Sequence, residues 1–329
     1  MRHSAPSWTQ VLTSWSFSPV VLGCLLLGAV GYLWLVVRVG RGGTHWPARR
    51  TLSWLAAMAV LVVTVDGPVG RYAEVLFWVH MVQHLLLIMI APVLMLWARP
   101  LELLCAGPGG ARVARALDGR VARWVTSPLV GLALYTAVVV LTHLTGFQQV
   151  SATNGWVRAG ELALYLVTGW LFFLPLVGSE RGPWSLPYLL RFVLLAVGMG
   201  ADTLTGVALM MTGRPLAPVY SLAHPGWGPA ALADQQAAGA IMWFGGDLLM
   251  MLLMILVAVQ WGRAGSDRQG LGGWLESARR HAVLGAENEG GGEDRGTDLD
   301  DDQRALDAYN ATLAALHGRR PPEHEQRGR

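Results

Sequence analysis

Two histidines four residues apart lie within one long apolar segment, residues 72–97. A helix of about 26 residues, rising about 1.5 Å per residue, is long enough to cross a hydrocarbon core of about 30 Å. Because residues four apart share a helix face, His80 and His84 point the same way, with Gln83 beside them. Ionisable residues in such segments usually face a bundle interior and mark a functional path. The alternative interpretation is a structural pair, hydrogen-bonded to neighbouring helices.

The rest of the chain has the composition of a membrane protein. Hydrophobic residues make up 53% and charged residues 14% of the 329 residues, and the apolar residues form long blocks. Such blocks are typical of membrane-spanning helices. We therefore predict an all-α integral membrane protein, a bundle of seven transmembrane helices. The six other predicted spans are residues 19–37, 51–69, 128–147, 159–177, 187–211 and 235–261.

Arginines predict the orientation of this bundle. All 25 basic residues are arginine, and they concentrate in residues 38–50, in residues 99–123 and in the chain from Arg263 onward. The alternate connections carry about one arginine each. By the positive-inside rule, the N-terminus is outside and the C-terminus is cytoplasmic, in a multi-pass protein of the plasma membrane. The net charge of +3 then reflects topology, and no nucleic-acid partner is expected.

The predicted organisation has three parts. Residues 1–18 form a short external N-terminus, residues 19–261 the membrane domain, and residues 262–329 a cytoplasmic tail. Residues 286–302 are rich in Gly, Glu and Asp and predict a disordered linker. An apolar stripe then predicts a short C-terminal helix, followed by stop signals. The residues of this stripe are Leu306, Tyr309, Leu313 and Leu316.

Other polar residues and methionines are predicted at the membrane level of the two histidines. The additional candidate metal ligands are His143, Met210, Met211 and Met242. Buried carboxylates can orient a ligating histidine, a role we predict for Asp202 and Asp247. Asp234, Gln235 and His224 are predicted to line the access route. Glu161 is expected to stay hydrated near the outer interface.

The chemistry of these side chains favours copper. Imidazole nitrogens with thioether sulfurs suit copper, particularly Cu(I), while zinc remains an alternative. The zinc-protease motif needs a glutamate after the first histidine, where this chain has Met81. Two cysteines without a CxxC pair do not indicate a cysteine-based zinc site or thiol redox chemistry. A bis-histidine haem would need His143 together with His80 or His84, because two ligands on one helix face cannot flank a haem.

Three runs of residues carry a resemblance to a known family. HMVQHLLLIMIAPVLML in the third span, ADTLTGVALMM in the sixth and DQQAAGAIMWFGGDLL in the seventh resemble the CtaG family of cytochrome c oxidase assembly factors. The resemblance covers about residues 20–261 and leaves out the tail. It implies a role in the maturation of haem-copper oxidases, with oxidase subunits as partners. The positions that match are His80, His84, Asp202, Asp234, Gln235, Met242 and Asp247.

The resulting hypothesis is a membrane protein, not itself a catalyst, that holds or passes copper from the outer face to a haem-copper oxidase. Two alternatives remain at this stage. A haem-binding membrane redox protein would use His143 with one histidine of the third span. A metal-free scaffold would only hold oxidase subunits together.

Overall fold

A computed structural model describes residues 7–177, 182–224 and 227–265, and these residues contain helices and short connections without any strand. The first elements are α1 (Trp8–Thr13), α2 (Pro19–Arg41), α3 (Ala48–Val65), α4 (Pro68–Tyr72), α5 (Phe77–Leu85), the π-helix π1 (Leu86–Ile90), α6 (Ala91–Trp97), α7 (Pro100–Ala106), α8 (Gly110–Leu117) and α9 (Arg120–Val125). There follow α10 (Pro128–Leu144), α11 (Phe147–Thr153), α12 (Gly155–Val177), α13 (Tyr188–Met211), α14 (Val219–Ala223), α15 (Ala231–Ala240), the π-helix π2 (Ile241–Gly245) and α16 (Gly246–Gly265).

Contacts divide the chain into two units. The first, Met1–Val257, contains the histidine-bearing helix α5 and the helices packed around it. Of the second, Ala258–Arg329, the structure describes only the last turns of α16, up to Gly265. The predicted linker and the predicted C-terminal helix of the tail therefore lie outside the described residues.

The described part of the chain confirms the predicted all-helical architecture with several candidate membrane spans. Within the described residues, six helical segments are long and apolar enough to cross a membrane. They are Pro19–Arg41, Ala48–Tyr72, Phe77–Ala106, Gly155–Val177, Tyr188–Met211 and Ala231–Arg263. The number becomes seven if α10 and α11, which meet at an angle of 76°, count as one bent span. The orientation of the termini stays a prediction.

Helix α2 shows the surface expected of a helix in lipid. Only 6% of its most apolar stretch is buried, and large side chains such as Leu27 and Trp34 are exposed. Tyr32 anchors the helix, because its hydroxyl donates to the carbonyl oxygen of Ala98 at 2.8 Å and its ring stacks on Trp54 at 4.8 Å. The polar contacts of this helix thus face inward, and most of its large apolar side chains face outward.

The third predicted span is interrupted at both ends of its histidine-bearing part. Residues 73–76 form a turn, so the helix begins at Phe77 rather than at Tyr72. After Leu85 the chain widens into π1. Pro92 has no N–H, so it cannot donate to the Ile88 carbonyl four residues earlier. Gly169 of α12 lies against that carbonyl and against the Pro92 ring, where a Cβ would not fit. The irregular turn therefore coincides with a close crossing of two helices.

Glycines allow a similar approach between α13 and α15. A Cβ on Gly206 would lie 2.8 Å from the carbonyl oxygen of Gly239, and one on Gly239 would lie 2.6 Å from that of Gly206. Small residues at such crossings let backbones pack closely in membrane bundles. This crossing places α15 between α13 and α5, the helix that carries the histidine pair.

Candidate metal centre

Three histidines from two helices come together inside the bundle. His80 and His84 lie one turn apart on α5, and His143 is the penultimate residue of α10. All three are at most 1% exposed. The ring centres of His84 and His143 are 4.7 Å apart, and those of His80 and His143 are 6.5 Å apart. The structure thus brings together the predicted histidine pair and the predicted third histidine.

Most nitrogens of these rings have no hydrogen-bond partner. His143 Nδ1 is 2.8 Å from the carbonyl oxygen of Val139. Because a carbonyl can only accept, we assign the proton to Nδ1, which leaves a lone pair on Nε2. That Nε2 atom and both nitrogens of His80 and of His84 are buried without a hydrogen-bond partner. Buried polar atoms are normally hydrogen-bonded, and each neutral imidazole offers one lone-pair nitrogen, so the three rings are candidate donors for a ligand.

Glu161 of α12 is the buried carboxylate beside these rings. Its Oε1 accepts hydrogen bonds from Gln148 Nε2 and from the Tyr165 hydroxyl, both at 2.7 Å, and its Oε2 accepts one from the Ser151 hydroxyl. His80 Nε2 lies 3.5 Å from Oε1, without hydrogen-bond geometry. The side chain is 1% exposed, so the expectation that Glu161 stays hydrated is wrong. The bend after α10 folds α11 back over the carboxylate and excludes water.

Aromatic side chains enclose the cluster. The Tyr165 ring meets His84 edge-on at 4.4 Å between ring centres. Tyr220 of α14 lies 6.3 Å from His80 and stacks on Phe77 at 5.1 Å. Burial raises the pKa of the Tyr220 hydroxyl, which is therefore neutral at physiological pH. The cluster is thus closed by side chains that contribute no charge.

Arg158 of α12 brings a positive charge near the histidine face, but its guanidinium contacts Gln83 and Glu74 rather than Glu161. Its Nη2 donates to the Gln83 side-chain oxygen at 3.1 Å, and its Nε lies 3.7 Å from a carboxylate oxygen of Glu74. Gln83 in turn donates to the carbonyl oxygen of Thr64 at 2.7 Å. These contacts join α12 to α5 and α5 to α3 on the flank of the histidine face.

The spacing of the rings can be compared with that of a metal site. Two imidazoles bound to one ion at about 2 Å have ring centres about 5–6 Å apart. The distances of 4.7 and 6.5 Å lie on either side of this range. Among the described residues, however, no group of three or more His, Cys, Asp or Glu side chains has a geometry that could hold a metal ion. The ring centres are close, but the side chains as placed do not converge on one ion.

The two predicted orienting aspartates have other partners. Asp202 Oδ2 accepts from the Tyr135 hydroxyl at 2.7 Å, and the Asp247 oxygens accept from the Thr203 hydroxyl at 2.8 and 3.0 Å. Tyr135 is eight residues from His143 on α10, which corresponds to about 12 Å. We expected these carboxylates to accept from histidines; the carboxylate beside the histidines is instead Glu161.

The residues predicted to line the access route hold backbone segments together. Asp234 accepts from two backbone N–H groups at the start of α5. Gln235 accepts from the Leu216 N–H at 2.8 Å and donates to the Leu209 carbonyl oxygen at 3.2 Å. His224 Nδ1 is 2.6 Å from the Trp227 carbonyl oxygen. All three predicted residues are buried, with 1–4% of their surface exposed.

The three predicted methionine ligands differ in their burial. Met242, in π2, is fully buried. Met210 is half-buried and packs against Gly239. Met211, the last residue of α13, is 80% exposed. Their ligation of a metal stays a prediction, with Met242 the most enclosed of the three.

Sequence reasoning missed several residues of this cluster. Glu161 and Tyr165 are four residues apart and share a face of α12, a spacing that could have revealed them as a pair. Gln148 and Ser151 reach Glu161 only because the chain bends by 76° between α10 and α11. Tyr220 reaches His80 from a connection between spans. No local pattern in the sequence signals these last three contacts.

Comparison with known proteins agrees with the resemblance noted in the sequence. Residues 30–264 match the family described as cytochrome c oxidase caa3 assembly factor. Uncharacterised proteins of Mycobacterium bovis and Mycobacterium tuberculosis are each 30% identical over 322 residues, covering 94% of this chain and 46% of theirs. One of Mycobacterium leprae is 29% identical over 325 residues. The chain therefore spans about half the length of the curated relatives it matches. No solved structure matches it.

Proposed function

Because the chain belongs to the cytochrome c oxidase caa3 assembly factor family, we propose that it holds copper at the cluster of His80, His84 and His143 and passes it to a haem-copper oxidase during assembly. One observation carries this proposal. Five nitrogens of these three buried rings have no hydrogen-bond partner, although burial without a partner is costly. Imidazole is a good ligand for copper, so a copper ion would satisfy one nitrogen of each of the three rings.

The charge of the cluster supports a cation as its cargo. Glu161 receives hydrogen bonds from an amide and two hydroxyls, all of them neutral donors. A buried carboxylate needs a compensating positive charge in a low-dielectric interior. Arg158 is directed at Glu74 and Gln83, so the remaining position for that charge is beside His80. A proton on His80 or a copper ion bound to it would supply the charge.

The loose arrangement of the donors favours transfer over permanent storage. A structural metal site is closed by converging ligands, whereas the nitrogens of this cluster do not yet converge. Rotation of the side chains would assemble the site around an arriving ion and release the ion again. In this proposal the protein is a carrier and not a catalyst, and Met242 is a further candidate ligand for Cu(I).

The haem alternative is less well supported by the geometry. The rings of His84 and His143 meet edge to face at 4.7 Å, which leaves no space for a porphyrin between them. A haem between His80 and His143 would have to displace Tyr165, which lies 6.5 Å from the first and 6.1 Å from the second. Purified protein with a Soret band would nevertheless establish haem binding.

Metal analysis of the purified full-length chain tests the proposal directly. After loading with Cu(I) under reducing conditions and desalting, wild-type protein is expected to retain about one copper per chain. His84→Ala and His143→Ala should lose most of it, because each removes a ligand. His45→Ala is the matched control, since His45 is exposed in a connection. Equal copper in all four proteins would contradict the carrier proposal and favour a metal-free scaffold.

The proposal also specifies the side of the membrane on which the histidine cluster lies. With the N-terminus outside, α5 starts at the outer face and the cluster lies in the outer half of the plasma membrane. Reporters fused after Gly40 and Gly110 should then be cytoplasmic, and reporters fused after Gly70 and Gly155 should be external. External signals after Gly40 and Gly110 would place the cluster on the cytoplasmic side.

A further inference from the structure

The helix that carries the histidine pair has no capping side chain of its own. Its N-cap residue is Leu76, which has no polar group to accept a hydrogen bond from the first N–H groups. An uncapped helix start leaves several backbone donors without an intrahelical partner, which is costly in an apolar setting. The structure shows where two of these donors go, and the acceptor is 156 residues or more away in the sequence.

Asp234 of α15 binds the start of α5 with both carboxylate oxygens. Oδ2 accepts from the Phe77 N–H at 2.8 Å, and Oδ1 accepts from the Trp78 N–H at 2.9 Å. The side chain is 1% exposed, so water does not compete for these bonds. A carboxylate at a helix N-terminus is also favoured by the helix dipole. Asp234 therefore acts as a cap supplied by another helix.

This cap is itself held firmly. The next residue, Gln235, accepts from the Leu216 N–H and donates to the carbonyl oxygens of Leu209 and Thr212. These contacts tie α15 to the end of α13 and to the connection that follows. The close glycine crossing described above holds the same pair of helices. Asp234 is thus a fixed point against which α5 is placed.

We propose that Asp234 is a positioning residue that sets the depth and rotation of α5, and thereby aims His80 and His84 at His143. His80 follows Phe77 by three residues, so it lies within the first turn that Asp234 caps. A shift or fraying of this turn would move the His80 nitrogens away from Glu161 and His143. This inference rests on the proposed copper function, and it concerns a residue that contacts no metal.

The test combines a measurement with copper and one without it. Asp234→Ala removes both acceptors, Asp234→Asn retains one acceptor without the charge, and Asp66→Asn is the matched control. Asp66 is also 1% exposed and accepts from a helix-start N–H, that of Ser18 at 3.1 Å, but the helix it binds, α2, carries no histidine. Hydrogen exchange on the intact metal-free protein reports the Phe77 and Trp78 amides. Competition with a chromophoric chelator reports the Cu(I) affinity, and X-ray absorption reports the number of nitrogen ligands.

Asp234→Ala is expected to speed exchange at the start of α5, to weaken Cu(I) binding about 10- to 100-fold and to lower the number of nitrogen ligands. Asp234→Asn should give a smaller loss of affinity, and Asp66→Asn should leave all three measurements unchanged. Unchanged exchange in Asp234→Ala overturns the capping role. Faster exchange with wild-type affinity overturns the positioning role. A wild-type protein without affinity for Cu(I) overturns the proposed function and the copper part of this inference, while the exchange data still decide whether Asp234 holds α5.

Discussion

The bundle buries two polar regions that differ in how their side chains are satisfied. Around His84 and His143, imidazole nitrogens are enclosed without partners. Around Asp202 and Asp247, each carboxylate receives a hydroxyl hydrogen bond, from Tyr135 and from Thr203, and only Asp202 Oδ1 has no partner. Asp202 is as buried as the histidines, so burial alone does not separate the two regions. The comparison favours a ligand role for the imidazole nitrogens, which lack partners, and a structural role for Asp202 and Asp247, whose hydroxyl donors lie on neighbouring helices.

Removing both histidines of α5 should cause the largest loss of Cu(I) affinity. His80→Ala with His84→Ala keeps helix propensity but removes two ligands, so Cu(I) affinity should fall more than about 100-fold. Chelator competition on the purified protein measures this. In cells carrying this variant, the oxidase should be deficient in copper. Wild-type Cu(I) affinity in the double variant would show that the histidine region is not a copper site, and the proposed difference from the Asp202 region would be wrong.

Neutralising one carboxylate in each region sharpens the comparison. Glu161→Gln preserves the size of the side chain but removes the negative charge beside His80, so Cu(I) affinity should fall about 10- to 100-fold. Asp202→Asn is the matched change in the other region and should alter affinity less than about threefold. Equal losses in both variants would show that the two regions act as one site.

Substitutions in the region around Asp202 should lower the stability of the fold and leave copper binding unchanged. Tyr135→Phe removes the hydroxyl that donates to Asp202 and leaves a buried carboxylate oxygen without its donor, a cost of about 1–3 kcal/mol. Thermal or denaturant unfolding in detergent measures this loss. Copper content should remain at the wild-type level. A loss of copper without a loss of stability would reverse the assignment of this region.

Substituting the methionines should cause the smallest loss of Cu(I) affinity. Met242→Leu keeps the apolar volume and removes the sulfur, so the loss of Cu(I) affinity should stay within about tenfold if imidazoles provide the main ligands. Met211→Leu is the control, because Met211 is 80% exposed. The measurement is the same chelator competition. A loss beyond tenfold for Met242→Leu would make the sulfur a principal ligand, while any loss for Met211→Leu would point to a nonspecific effect.

Much of the helical framework could be predicted from the sequence, because the thickness of a membrane sets the length of the apolar block that crosses it. Residues 19–37 were predicted as a span and lie within α2, and residues 187–211 correspond to α13. The ends were less predictable. The predicted span of residues 128–147 ends in the structure at Leu144, where the chain turns by 76° into α11. Hydropathy does not record such a bend, because the path of α11 accompanies the hydrogen bonds that Gln148 and Ser151 make with Glu161 of α12.

The three histidines of the candidate site could be singled out from the sequence, whereas their surroundings could not. Two histidines in an apolar segment are conspicuous because their burial needs a reason. His143 was included as a candidate to join them, and the structure places its ring 4.7 Å from that of His84. The partner of His80 was not foreseen, because Glu161 becomes buried only through α11, and the role of Asp234 depends on a contact across the fold. Contacts between residues far apart in the sequence produce no periodic pattern from which they could be predicted.

The π-helical turn π1 also fixes a rotational phase within the third span. It separates the half that carries His84 from the half in which Pro92 seats against Gly169. A π turn holds about one more residue than an α turn, so it takes up one extra residue while completing the same rotation. Deleting one residue there would restore a regular turn and leave the imidazoles facing nearly as before. Deleting a second residue would shorten the ordinary helix and swing the imidazoles by about 100° relative to the seated half. The third span can therefore lose one residue in this turn, or exchange Leu, Ile and Met there, and still direct His80 and His84 at the same neighbours.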